Sequence, residues 1–122
     1  MAFTDELESK IQAEYLAILK KKNPAEINGK TLNCDSFRKI AEEIKYVMVD
    51  GQNKGLTALE ITNKIILKIL NVKFFVYNNH EMAALIGYIY LRRQGVEIKK
   101  YSISGINNDS TLDEVRILTA SW

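Results

Sequence analysis

Between Lys73 and Glu81 the chain reads K-F-F-V-Y-N-N-H-E, which gathers Lys73, Tyr77, Asn78, Asn79, His80 and Glu81 into one short polar stretch. An apolar run from Met82 to Leu91 follows directly. A loop that feeds a buried helix turns several backbone N–H groups outward, and those donors can hold an anion such as phosphate. Asn78 and Asn79 suit such a loop because asparagine tolerates left-handed and turn conformations. The same residues also fit a plain helix start. Asn79 would then accept from a first-turn N–H, and Glu81 would lie near the positive end of the helix dipole. The cap is the simpler of the two readings.

A second pairing could do chemistry in principle. Cys34 is the sole cysteine and His80 the sole histidine, so a thiol nucleophile with an imidazole base is conceivable. No shared signature links them, and Cys34 also reads as a small, partly buried apolar residue. One cysteine makes no internal disulfide, which agrees with a reducing compartment. No metal ligand set stands out.

The elements that must hold these residues follow from periodicity. Leu7, Ile11, Tyr15 and Ile18 predict a first helix from about Thr4 to Lys22, with Asp5 and Glu8 at capping-box spacing and Asn23-Pro24 as its stop. A second helix is predicted from near Asp35, with Phe37, Ile40, Ala41, Ile44, Val47 and Met48 inward and Asp50-Gly51 ending it. Thr57 and Glu60 make a further capping box for a third helix toward Leu70, its core side expected at Leu59, Ile66, Ile69 and Leu70. Its β-branched content would allow a strand, but length and capping favour helix. A fourth helix is predicted from about His80 to Arg93. It is apolar all round and is therefore expected to be the buried central one, closed by Gly95 in a left-handed conformation. Alternation from Val96 to Ser104 suggests a short extended piece. Thr111 with Glu114 opens a last predicted helix, and Trp122 could pack on the core. The expected fold is all-α: a compact single domain, residues 1–122, of four to five helices around a buried central helix, with at most a short extended segment.

Composition narrows the function classes. A 122-residue chain suffices for one domain with a sizeable core, and an apolar fraction of 47% with 26% charged residues is ordinary for a soluble globular protein. A formal charge of +2 gives no field that would favour nucleic acid or an anionic membrane. The basic groups at Lys20 to Lys22, Arg92-Arg93 and Lys99-Lys100 fall at or beyond predicted helix ends, where cations complement the dipole. The N-terminus lacks the pattern of a secretion signal, and the apolar run is too short to span a bilayer. A cytoplasmic location is expected, with no nucleic-acid and no membrane partner.

From Lys73 to Val96 the chain also resembles the core of the Fic/Doc (death-on-curing) family. There a loop of the form H-x-F-x-D-(G/A)-N-(K/G)-R opens a buried helix, which in Doc toxins ends in a run similar to the L-R-R-Q-G-V found here. Phe75 falls on the motif Phe and Asn79 on the motif Asn. The resemblance implies a Fic/Doc-like helical domain in a bacterial toxin–antitoxin or mobile-element setting. Active members transfer a nucleotide fragment or a phosphate to a protein. The motif His acts as base, the acid holds magnesium, and the Asn, Lys and Arg cradle phosphates. Here Lys73 stands at the His, Tyr77 at the acid, His80 at the Lys or Gly, and Glu81 at the Arg. A protonated lysine is a poor base, tyrosine is no carboxylate ligand, and Glu81 would repel a triphosphate.

The resulting expectation is a non-catalytic Doc-like protein that acts by binding a protein partner and needs no cofactor. Tyr77, Tyr88, Tyr90 and Trp122 would be its anchors, although Tyr88 and Tyr90 also read as core. The alternative is a nucleotide-dependent transferase with a rearranged loop. In it Lys73, Asn79 and His80 would contact ATP phosphates and Glu81 would hold magnesium.

Overall fold

The computed structural model describes residues 3–22, 24–26 and 29–96, and within them it is all-α, with four packed helices. The extended segment, last helix and Trp122 anticipated beyond Val96 lie outside the described residues. The helices are α1 (Phe3–Lys22), α2 (Phe37–Asn53), α3 (Ala58–Val72) and α4 (Asn79–Arg93), with a short 3-10 turn at Pro24–Glu26. In place of strands, the described residues have one isolated antiparallel bridge, between Leu32 and Phe75.

The predicted stripe of α1 is buried at Leu7, Ile11 and Tyr15, while Leu19 is fully buried and Ile18 only half so. Asp5 and Glu8 do not form a cap. Both carboxylates turn instead to the Arg38 guanidinium on α2, and α1 begins before them at Phe3. Ser36 caps α2, its hydroxyl accepting from the Lys39 N–H at 3.2 Å. The helix then runs past the predicted stop at Asp50-Gly51 to Asn53. Gly51 is a packing residue there: a Cβ on it would lie 2.7 Å from Ile61 Cγ1 on α3. The true stop is Gly55, at φ +73°, with Leu56 N–H returning to the Gly51 carbonyl at 3.0 Å.

The Thr57–Glu60 capping box forms as predicted, with both reciprocal bonds at 3.2 Å. Helix α3 packs on both α2 and α4 and buries Ile61, Ile65, Ile66, Ile69 and Leu70, whereas Leu59 is only half-buried. Helix α4 buries Met82, Ala83, Ile86, Gly87, Tyr90 and Leu91. Half-buried Ala84, Leu85 and Ile89 also pack against the core, and Tyr88 is exposed. Helix α3 lies between α2 and α4, and α4 meets α1 as well as α3, with Arg93 over the Phe3 ring. Gly95 ends α4 at φ +74°, as its sequence position predicted.

Candidate binding loop

The predicted motif-loop residues Lys73 to Asn78 lie in the connection from α3 to α4, and Asn79, His80 and Glu81 in the first turn of α4; hydrogen bonds to Tyr15, to Thr31 and Asn33, and to Asn79 set the geometry of the connection. Lys73 closes α3 in the left-handed conformation, φ +57°, and its side chain is exposed. Phe74 and Phe75 then dive into the core, with Phe75 fully buried and its ring 4.6 Å from that of Tyr15. Tyr77, Asn78, His80 and Glu81 are half-buried. The loop thus presents a mixed rim over an aromatic floor.

Its amides are largely committed. The Phe75 N–H donates to Asn79 Oδ1 at 3.1 Å, and Asn79 Nδ2 donates back to the Phe75 carbonyl at 2.6 Å. The Val76 N–H donates to the Thr31 carbonyl at 2.9 Å. The Tyr77 N–H donates to the Tyr15 hydroxyl at 3.2 Å, and that hydroxyl donates in turn to the Thr31 carbonyl at 2.9 Å. From the opposite strand-like segment, the Asn33 amide donates to the carbonyls of Lys73 at 2.8 Å and Phe75 at 3.2 Å. Burial raises the Tyr15 hydroxyl above the ordinary tyrosine range, and the donated Tyr77 N–H works against that rise. Tyr15 therefore stays protonated and serves as both donor and acceptor.

This arrangement corrects the predicted role of Asn79. The cap position belongs to Asn78, held at φ +62° with no side-chain cap bond. Asn79 is the first residue of α4, and its carboxamide folds back on Phe75 rather than facing first-turn amides. A carboxamide beside a reversing chain can imitate a backbone pair, and that local option competes with capping. The Nδ2 of Asn78 is buried without a hydrogen-bond partner among the described residues.

Cys34 lies on the other side of the bridge. Its thiol points at the carbonyls of Ser36, at 3.6 Å, and Phe74, at 3.9 Å. Burial raises its pKa above the ordinary thiol value, outweighing the Ser36 hydrogen bond. A protonated thiol that donates to carbonyls is a structural group and a poor nucleophile. With Lys39, Glu43, Lys68 and Lys73 it borders a hollow of about 190 Å³, where Glu43 bridges Lys39 at 3.2 Å and Lys68 at 3.5 Å. No hydrogen bond joins Cys34 to His80 among the described residues.

Of the expected aromatic anchors, Tyr90 is core at 2% exposure, whereas Tyr88 is 37% exposed. Tyr88 borders a larger groove of about 420 Å³ between α1 and α4, with Phe3, Leu7 and Ile89 as its apolar lining. Among the described residues no group of three or more His, Cys, Asp or Glu side chains could hold a metal ion. None of the described helices is long and apolar enough to cross a membrane. Sequence reasoning gave Tyr15 only a core role and passed over Asn33, whose side chains, with the Thr31 carbonyl, fix the loop from outside. A buried tyrosine must find a partner for its hydroxyl, and that requirement was the one available signal.

No protein-family model matches the chain, nor does any curated protein or solved structure. The likeness to Fic/Doc proteins therefore rests on the residues from Lys73 to Val96 themselves.

Proposed function

We propose that the chain is a non-catalytic, Fic/Doc-like protein that acts by binding a protein partner at the rim of the Lys73–Glu81 loop. The reading is supported above all by the closure of Asn79 on Phe75. In the family motif this asparagine helps to cradle phosphates; here both ends of its carboxamide are already used. Lys73, Tyr77 and Glu81 add no base, no carboxylate at the acid position and no positive clamp. Phosphoryl chemistry depends on positioning and charge neutralisation, so losing all of these together removes its basis. What the loop retains is a hydrogen-bonded, partly apolar rim that includes half-buried Tyr77, and a rim already ordered lowers the entropic cost of association.

A calorimetric titration with ATP and magnesium, paired with affinity capture from a bacterial lysate, tests this reading. The expected result is no nucleotide heat, together with one stoichiometric protein that is lost when Tyr77→Ala is used as bait. Micromolar ATP binding, or label transfer from ATP to a protein that Glu81→Ala abolishes, would overturn it in favour of a transferase.

A further inference from the structure

The hollow beside Cys34 has a charge pattern that helix packing does not require. Lys39 on α2, Lys68 on α3 and Lys73 at the end of α3 border its volume of about 190 Å³, and Glu43 is the one acid among its lining residues. Glu43 bridges Lys39 at 3.2 Å and Lys68 at 3.5 Å, so a single carboxylate is shared. Two ammonium groups offer more N–H donors than one carboxylate can accept. Three lysines against one glutamate leave an excess of two positive charges around one concavity. Lys39 also stands in the first turn of α2, which carries no acidic residue, so the positive end of that helix adds to the same field.

The backbone supplies a second observation. Lys73 closes α3 in the left-handed conformation, at φ +57°, where a helix end usually takes glycine. A lysine is kept there at a conformational cost, and a binding role would offset it.

We propose that the hollow binds a free phosphate-sized dianion, held by the ammonium groups of Lys39, Lys68 and Lys73. The charge of such a ligand equals the excess in the lining, and a concave site of one sign concentrates the opposite ion. The hollow is smaller than a usual small-molecule pocket of about 300–1,000 Å³, so it suits one phosphate group and not a nucleotide. Hydrogen bonds between ammonium and phosphate are of the strong, charge-assisted kind. Lys39 and Lys73 are exposed, however, and Lys68 is half-buried, and exposed ion pairs each contribute little. Millimolar binding is therefore expected. The proposal is independent of the loop reading, because neither Tyr77 nor Asn79 lines the hollow.

A two-dimensional NMR titration of the full chain with inorganic phosphate tests the site. It is run at about pH 8, above the second ionisation of phosphate, and at constant ionic strength with sodium chloride as the control. Saturating shifts are expected at the amides of Cys34, Lys39 and Phe74, and chloride should not reproduce them. Lys68→Gln should weaken binding about threefold or more. Glu43→Gln removes the competing carboxylate and should tighten binding by a similar factor, a gain that a merely structural ion pair would not give. Lys73→Gly relieves the left-handed backbone, so it should weaken binding without lowering the melting temperature. Phosphate shifts centred on Asn79 to Glu81, a response that chloride reproduces, or binding indifferent to Lys68→Gln and Glu43→Gln would overturn the proposal.

Discussion

The side chain of Asn79 and the backbone of Phe75 exchange two hydrogen bonds, of 3.1 and 2.6 Å, as though the carboxamide were a further strand residue. The bridge between Leu32 and Phe75 occupies one edge of the loop, and Asn79 occupies the other. Replacing Asn79 by Ala leaves the part-buried Phe75 N–H unpaired, while the Phe75 carbonyl keeps the Asn33 amide at 3.2 Å. A loss of about 1–3 kcal/mol in unfolding free energy is expected, measured by urea denaturation. Asn79→Asp should fare better than Ala only at the Phe75 N–H, because a carboxylate cannot donate to the carbonyl.

Tyr15→Phe removes one hydroxyl and two bonds while leaving the ring edge-on to Phe37 and tilted against Phe75. The expected destabilisation is about 1–3 kcal/mol. A raised hydroxyl pKa also has a pH signature. The phenol ionises more readily in the unfolded chain, so its contribution is complete at neutral pH. It is lost as pH rises past the ordinary tyrosine value, near 10. Thermal melts between pH 8 and 11 should therefore show a shallower alkaline decline for Tyr15→Phe than for the parent.

Gly51→Ala separates two effects of opposite sign. In an open helix interior the change would stabilise by about 1 kcal/mol through propensity. At this site the new methyl would meet Ile61 Cγ1 at 2.7 Å, so overpacking should prevail and destabilise by about 1–3 kcal/mol. Combining it with Ile61→Ala tests the clash directly. The two changes should then be less damaging together than the sum of each alone.

Cys34 should react slowly with a thiol reagent such as iodoacetamide at neutral pH, with the rate climbing through a midpoint above that of a free cysteine peptide. Burial is the cause of the raised value, so mild denaturant should return the midpoint toward the ordinary range. Fast alkylation at pH 7 would point instead to an activated thiol.

What the sequence made legible was local. The Thr57–Glu60 box and Gly95 act between residues a turn or less apart, and both stand where short-range rules put them. Gly51 was misread as a terminator because a glycine that stops a helix and one that admits a neighbouring side chain look alike until α3 is in place. The loop residues were found, but the role of Asn79 was not. Its partner choice depends on where Phe75 is held, and that depends on Asn33, some forty positions earlier in the chain. Which residues of α4 would be buried most deeply was equally hidden, since an all-apolar helix carries no directional signal.

The bond from Tyr77 to Tyr15 spans 62 positions, so the α3–α4 corner and the first helix hold one another in place. Slow hydrogen exchange at the Tyr77 amide would then report on the seating of the N-terminal helix rather than on the corner itself. Equally, anything that tightens the corner from outside must steady a helix at the far end of the sequence.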